Sequence, residues 1–127
     1  MSSQPNLRPL SPHLQVYKPQ ITSVLSITHR VTGIGLSLGI FFFLYWLGAI
    51  AMGADSFAEA IIFFKSWFGQ LVLGLCLLGF YYHFANGIRH LAWDLGYGFS
   101  LRAVHVTGWT VVIAAVLLTL LTWMSIK

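Results

Sequence analysis

The sequence predicts an all-α membrane protein with three transmembrane helices and a polar N-terminal arm. Of its 127 residues, 57% are hydrophobic and only 8% are charged. The mean hydropathy is +0.79. Soluble domains carry charge on roughly a quarter of their residues, so this chain has too little polar surface to cover a globule in water. The sequence also contains three long stretches without charge. A chain this short has no soluble core that could bury them, so they indicate membrane spans.

The predicted arm comprises residues 1–20. All prolines of the chain lie in this segment: Pro5, Pro9, Pro12 and Pro19. Proline fixes its own φ and disfavours the helical conformation of the residue before it, so the arm is not expected to form a long helix. A secretory signal peptide is not expected either, because no apolar segment follows the first basic residue.

The predicted membrane domain covers residues 21–127. Its charge-free stretches are residues 31–54, 66–88 and 103–126. At a rise of about 1.5 Å per residue, each stretch can cross a hydrocarbon core about 30 Å thick. Helices are the only choice, since three strands cannot close a barrel. We therefore expect spans at about 24–54, 62–90 and 103–126, joined by short connectors.

The distribution of lysine and arginine predicts the orientation. The arm and the connector between the second and third spans share one side, with Arg8, Lys18, Arg30, Arg89 and Arg102. The other side holds only Lys65 and Lys127. Because basic residues are enriched on the cytoplasmic side, the N-terminus is expected in the cytoplasm, or in the matrix of a mitochondrion. The C-terminus is then expected on the opposite side.

Polar side chains gather at the predicted cytoplasmic edge of the membrane. They are Ser26, His29, Arg30, His83, Asn86, Arg89, His90, Asp94 and His105. Polar groups at membrane depth are costly when unpaired, so they are candidates for a functional site. An ion relay through a small transporter or channel subunit is disfavoured, because the acids Asp55, Glu59 and Asp94 all lie at or beyond the ends of the spans.

His83 is the deepest of these groups, and glycines stand four residues before and after it, at Gly79 and Gly87. The absence of side chains above and below the imidazole would leave a flat face, which a porphyrin ligated by the imidazole requires. The spacing is equally typical of close helix packing, with His83 hydrogen-bonded to a neighbouring helix. Spacing alone leaves both interpretations open.

Arg30 lies one helical turn after Ser26, on the same face. Together they could donate hydrogen bonds to a quinone carbonyl or to a haem propionate. The alternative is an interfacial arginine that pairs with lipid headgroups. Asp94, the one acid on this edge, could pair with Arg89 or Arg30, accept a hydrogen bond from His90, or simply be solvated.

Two motifs in these segments resemble the cytochrome b556 subunits of succinate dehydrogenase, the larger membrane anchors of respiratory complex II. The first runs Arg8-Pro9-Leu10, then Leu14 and Ile21, then Ser26-x-x-His29-Arg30-x-Thr32. The second runs His83-x-x-x-Gly87-Ile88-Arg89-His90-Leu91-x-Trp93-Asp94-x-Gly96. Both are long and fixed in spacing, so their joint occurrence by chance in a three-span chain is improbable.

The resemblance implies site residues. The histidine that opens the second motif, here His83, is an axial ligand of one haem b, and the smaller anchor subunit supplies the other histidine. Ser26 and Arg30 would line the ubiquinone site, with Asp94 nearby. His29, Arg30 and His90 would lie close to the haem propionates. No residue of this chain would catalyse succinate oxidation, which takes place in a flavoprotein partner.

The same resemblance implies the function of the chain. It would form half of a two-subunit haem-binding bundle and pass electrons from succinate to ubiquinone, with the iron–sulfur subunit as a further partner. The lipid bilayer would be that of the bacterial inner membrane or the mitochondrial inner membrane, and no nucleic acid is expected as a partner. A fumarate reductase anchor and a purely structural anchor without a redox role are the alternatives.

Overall fold

A computed structural model describes residues 17–126, and within them the chain forms four helices and no strand. They are α1 (Ile21–Met52), α2 (Ala54–Lys65), α3 (Trp67–Asp94) and α4 (Leu101–Ser125). Helices α1, α3 and α4 have 32, 28 and 25 residues and are long and apolar enough to cross a membrane. The predicted all-α fold with three spans is confirmed. Most of the predicted arm, with Arg8, and Lys127 lie outside the described residues.

Helix α1 begins well before its charge-free stretch. It starts at Ile21, so Ser26, His29 and Arg30 lie within its first three turns. Backbone hydrogen bonds in a helix are satisfied within the segment, which allows the helix to continue through polar residues at the membrane edge. The polar groups of the first motif are therefore held on a regular helix.

The segment after Gly53 is a helix, although the sequence suggested a short connector there. Gly53 has φ 108° and ψ −175°, a conformation available to glycine and strained for other residues, and it separates α1 from α2. Asp55 in the first turn of α2 and Lys65 in its last turn complement the helix dipole. The second span consequently begins at Trp67, later than the expected residue 62.

Ser66 forms the corner between α2 and α3. Its hydroxyl accepts a hydrogen bond from the Gly69 amide at 3.1 Å and donates one to the Phe63 carbonyl at 2.6 Å. The Gln70 side chain donates to the Phe64 carbonyl at 2.8 Å. These bonds satisfy amides and carbonyls that two helix ends would otherwise leave unpaired. The corner is thus a defined turn that returns the chain across the membrane.

Helix α3 packs against both α1 and α4. The core between the three helices contains Leu25, Tyr82, Val111 and Ala115. The Tyr82 hydroxyl donates a hydrogen bond of 2.8 Å to the Leu25 carbonyl and so joins α3 to α1. Most large apolar side chains, among them Phe41 on α1, instead lie on the outside of the bundle. This surface suits contact with lipid or with other membrane helices.

Gly35 and Gly39 lie one turn apart near the middle of α1 but differ in their surroundings. A methyl group at Gly39 would lie 3.0 Å from the Cys76 sulfur, whereas one at Gly35 would meet nothing within 4 Å. Among the described residues, Gly39 is therefore the member of this pair that permits close packing of α1 against α3. Cys76 is half-buried and lines an apolar cavity of about 480 Å³ between α1, α2 and α3.

Candidate functional site

Three histidine rings from α1 and α3 lie together at one end of the bundle. The rings of His29 and His83 are stacked, with centroids 3.8 Å apart and planes at 9°. The His90 ring lies 5.2 Å from that of His29, tilted by 44°. The stack brings side chains of α1 and α3 into face-to-face contact. This contact fixes the position of the His83 ring against α1.

One nitrogen of His83 is engaged by α1. Its Nδ1 lies 3.1 Å from the His29 carbonyl oxygen and 3.3 Å from the Thr32 hydroxyl. A carbonyl oxygen can only accept, so Nδ1 is the protonated nitrogen in this arrangement. The lone pair then resides on Nε2, which makes no hydrogen bond to any residue between 17 and 126. His83 thus presents one ring nitrogen suited to metal ligation.

The glycines around His83 do not leave its helix face open. A methyl group at Gly79 would contact Leu36 and Thr32 at 3.9–4.0 Å, and one at Gly87 would lie 3.9 Å from the His29 ring. Both positions face α1 and permit its close approach, as in other packed membrane helices. Of the two interpretations of this spacing, the described structure therefore shows close helix packing, with α1 against the glycine face. The closest contact is at Gly33, where a methyl group would lie 3.1 Å from Cε1 of His83.

Two buried polar atoms at this end have no hydrogen-bond partner among the described residues. They are Nδ1 of His29 and Nδ2 of Asn86, the latter on a side chain with 0% exposure. The great majority of buried polar atoms in proteins form a hydrogen bond. Each of these two atoms is therefore expected to bond to water or to a group outside residues 17–126. The end of the bundle around the histidines is accordingly incomplete in its hydrogen bonding.

Arg89 is buried, with 6% exposure, and connects α3 to α4. Its Nε donates to the Thr107 hydroxyl and its Nη2 to the Val104 carbonyl, each at 3.0 Å. The guanidinium also lies 4.0 Å above the centre of the Trp93 ring, within the range of a cation–π contact. From the sequence, Arg89 was expected among the charges of the connector between the second and third spans. Arg89 and Trp93 are four residues apart and so share one face of a helix, and this spacing could have predicted their contact from the sequence.

The residues predicted to bind a quinone are less buried than Arg89. Arg30 is exposed, Ser26 is half-buried, and neither side chain bonds to a residue in the described part of the chain. Their spacing places them on one face of α1, as expected. Asp94 is exposed at the end of α3 and forms no ion pair with Arg30 or Arg89 among residues 17–126. Of the alternatives that the sequence left open for this acid, the described structure favours the solvated one.

His105 lies apart from the other three described histidines. It is exposed in the first turns of α4, beside a cleft that it lines with residues 19–22. His90 instead packs edge-on against Trp93, with centroids 5.2 Å apart. Within residues 17–126, no group of three or more His, Cys, Asp or Glu side chains could hold a metal ion. The four histidines between residues 17 and 126 therefore divide into a cluster of three and a separate surface residue.

Comparisons with known proteins agree with the motifs. Residues 4–122 match the family described as the succinate dehydrogenase/fumarate reductase transmembrane subunit. A relative in Rickettsia typhi, named succinate dehydrogenase cytochrome b556 subunit, is 44% identical over 122 residues, 93% of this chain and 92% of the relative. The subunit of that name in Paracoccus denitrificans is 37% identical, covering 91% and 88% of the two chains. A cytochrome b560 subunit of Marchantia polymorpha is 38% identical, covering 90% and 87%.

Proposed function

Because this chain belongs to the family of succinate dehydrogenase/fumarate reductase transmembrane subunits, we propose that it is the cytochrome b anchor of a succinate:quinone oxidoreductase. In this role it holds one haem b together with a smaller anchor subunit. It also forms one wall of the site where ubiquinone is reduced. The flavoprotein partner oxidises succinate, and the iron–sulfur partner delivers the electrons.

The residues around His83 fit a haem. The observation that carries the proposal is the bonding of His83 Nδ1 to the His29 carbonyl at 3.1 Å, which leaves Nε2 as the free donor nitrogen. Nδ1 of His29 and the guanidinium of Arg30, neither of which bonds to a residue between 17 and 126, suit the carboxylates of haem propionates. His90, beside His29, would contribute to the same environment. When bound through imidazoles, haem b supplies a reversible one-electron store.

Ser26 and Arg30 are the proposed quinone ligands. The guanidinium is permanently charged and carries several N–H donors, and the serine hydroxyl supplies one more. Donors aimed at a quinone carbonyl stabilise the negative charge that develops there as electrons arrive. Reduction to the quinol takes up two electrons and two protons, and Asp94, whose side chain is exposed, is the third residue proposed at this site.

The haem ligation is tested by optical spectroscopy of the purified complex. The reduced-minus-oxidised spectrum of the unaltered complex should show a b-type band, and His83→Ala should remove it. His105→Ala changes an exposed histidine outside the cluster and should leave the band intact. A purely structural anchor without a redox role predicts no b-type band in any of these complexes.

The quinone site is tested by two activities of one preparation. Arg30→Ala should strongly reduce electron transfer from succinate to ubiquinone and leave electron transfer to a soluble artificial acceptor unchanged. Arg102→Ala, which also removes an exposed arginine, should affect neither activity. Equal loss of both activities in Arg30→Ala would contradict its role at the quinone. The ratio of succinate oxidation to fumarate reduction separates this function from that of a fumarate reductase anchor.

A further inference from the structure

The Thr32 hydroxyl lies between three polar groups. Its Oγ1 is 2.9 Å from the carbonyl oxygens of both Thr28 and His29, and 3.3 Å from Nδ1 of His83. A hydroxyl has one hydrogen to donate and two lone pairs to accept with. Since both carbonyls are acceptors only, the hydrogen of Thr32 is directed to the backbone of α1. Toward His83 the hydroxyl is therefore an acceptor.

His83 Nδ1 consequently has two acceptors on the same helix. One is the His29 carbonyl at 3.1 Å and the other is the Thr32 hydroxyl. The carbonyl belongs to the backbone and no substitution removes it, whereas the hydroxyl is the one side-chain acceptor. Gly33, the residue after Thr32, allows the His83 ring to lie this close to α1, because a methyl group there would be 3.1 Å from Cε1.

We propose that Thr32 is a positioning residue for His83, the haem ligand of the proposed function. Its hydroxyl keeps the proton of His83 on Nδ1 and would thereby strengthen Nε2 as a donor to a haem iron. The proposal rests on the proposed haem ligation by His83. A hydrogen-bond acceptor at the far nitrogen fixes the tautomer and raises the basicity of a ligating imidazole. A more basic ligand stabilises ferric over ferrous iron, so Thr32 lowers the reduction potential of the bound haem.

The experiment is a redox titration of the b-type absorbance in the assembled complex, with haem content measured in parallel. Thr32→Val removes the acceptor and keeps a branched side chain of similar size, and its midpoint potential should shift upward. Thr32→Ser retains a hydroxyl and should titrate close to the unaltered complex. Thr110→Val is the matched control, because in the described part of the chain the Thr110 hydroxyl bonds only to the Val106 carbonyl on α4.

Several outcomes would overturn the proposal. An unshifted midpoint in Thr32→Val with full haem content would show that the hydroxyl does not act on the ligand. An equal shift in Thr32→Ser would assign the effect to packing. If the complex with Thr32→Val does not assemble, Thr32→Ala removes the same hydroxyl. The measurement on this second variant is the low-spin ferric haem spectrum. A b-type band that persists in His83→Ala would remove the premise itself, a failure distinct from that of Thr32 alone.

Discussion

Arg89 on α3 donates a hydrogen bond from Nε to the hydroxyl of Thr107 on α4, with 3.0 Å between the two atoms. Thr107 in turn donates to the Ala103 carbonyl at 2.7 Å, so the bond is anchored on the backbone of α4. Arg89 directly precedes His90 in the chain. The link therefore holds α4 against the same end of α3 that carries the histidine cluster.

Truncation of Arg89 should weaken this end of the bundle. Arg89→Ala removes the hydrogen bonds to Thr107 and Val104, a longer one of 3.5 Å to Asn86, and the contact with Trp93. Hydrogen bonds to charged groups contribute about 1.5–3 kcal/mol each, so a loss of about 3 kcal/mol is expected. Thermal unfolding in detergent should show a clearly lowered midpoint. Arg102→Ala, at an exposed position, should change the stability by no more than about 0.5 kcal/mol.

Gly69 should not tolerate a side chain. A methyl group at this position would overlap the Phe63 carbonyl oxygen and lie 2.7 Å from Cα of Phe64, both parts of the backbone. Gly69→Ala should therefore displace α2 from α3 and cost about 2 kcal/mol or more. Gly48→Ala is the control, because a methyl group there meets nothing within 4 Å and alanine favours the helix. Similar unfolding midpoints for the two variants would contradict this account of the corner.

Gly33 should control the position of the His83 ring. Gly33→Leu places a large side chain where a methyl group already lies 3.1 Å from Cε1, so the imidazole has to leave α1. We expect haem incorporation to fall to background, measured as haem per purified subunit. Gly48→Leu adds the same side chain in open space and should retain haem. Normal haem content in Gly33→Leu would show that ligation does not need the His83 position seen here.

The proposed orientation can be tested with single cysteines. In a Cys76→Ser background, Arg102→Cys should react with a membrane-impermeant thiol reagent only from the cytoplasmic or matrix side. Lys65→Cys should react only from the opposite side. The burial of Arg89 inside the bundle removes it from the connector charges. Arg8, Lys18, Arg30 and Arg102 still outnumber Lys65 and Lys127, so the predicted orientation is unchanged.

The break between α2 and α3 illustrates what hydropathy could not predict. Ile62, Phe63 and Phe64 are apolar and lie next to the second charge-free stretch, with only Lys65 between them, so the sequence placed the start of the second span at 62. The structure assigns them to α2, because the backbone turns at Ser66. Hydropathy measures how well a segment is accommodated in lipid and is insensitive to a turn between two apolar helices.

The sequence predicted a set of polar residues at one edge of the membrane but not the contacts among them. Helical spacing placed Ser26 and Arg30 on one face of α1, because that relation depends only on the helix period. The stacking of His29 on His83 depends on how closely α1 and α3 approach each other. The bonds of Arg89 to α4, in place of one to Asp94, depend on the arrangement of α3 and α4.

The sequence by itself determined three membrane crossings and the membership of the chain in a family. Long uncharged segments must form helices in lipid, since no water is available for unpaired backbone groups, and the two motifs are read directly from the residues. Only the tertiary structure decided that α1 covers the face of His83 and engages its Nδ1. The physical reason is that helical periodicity determines which residues share a face, whereas the neighbour of that face is determined by the packing of the whole bundle.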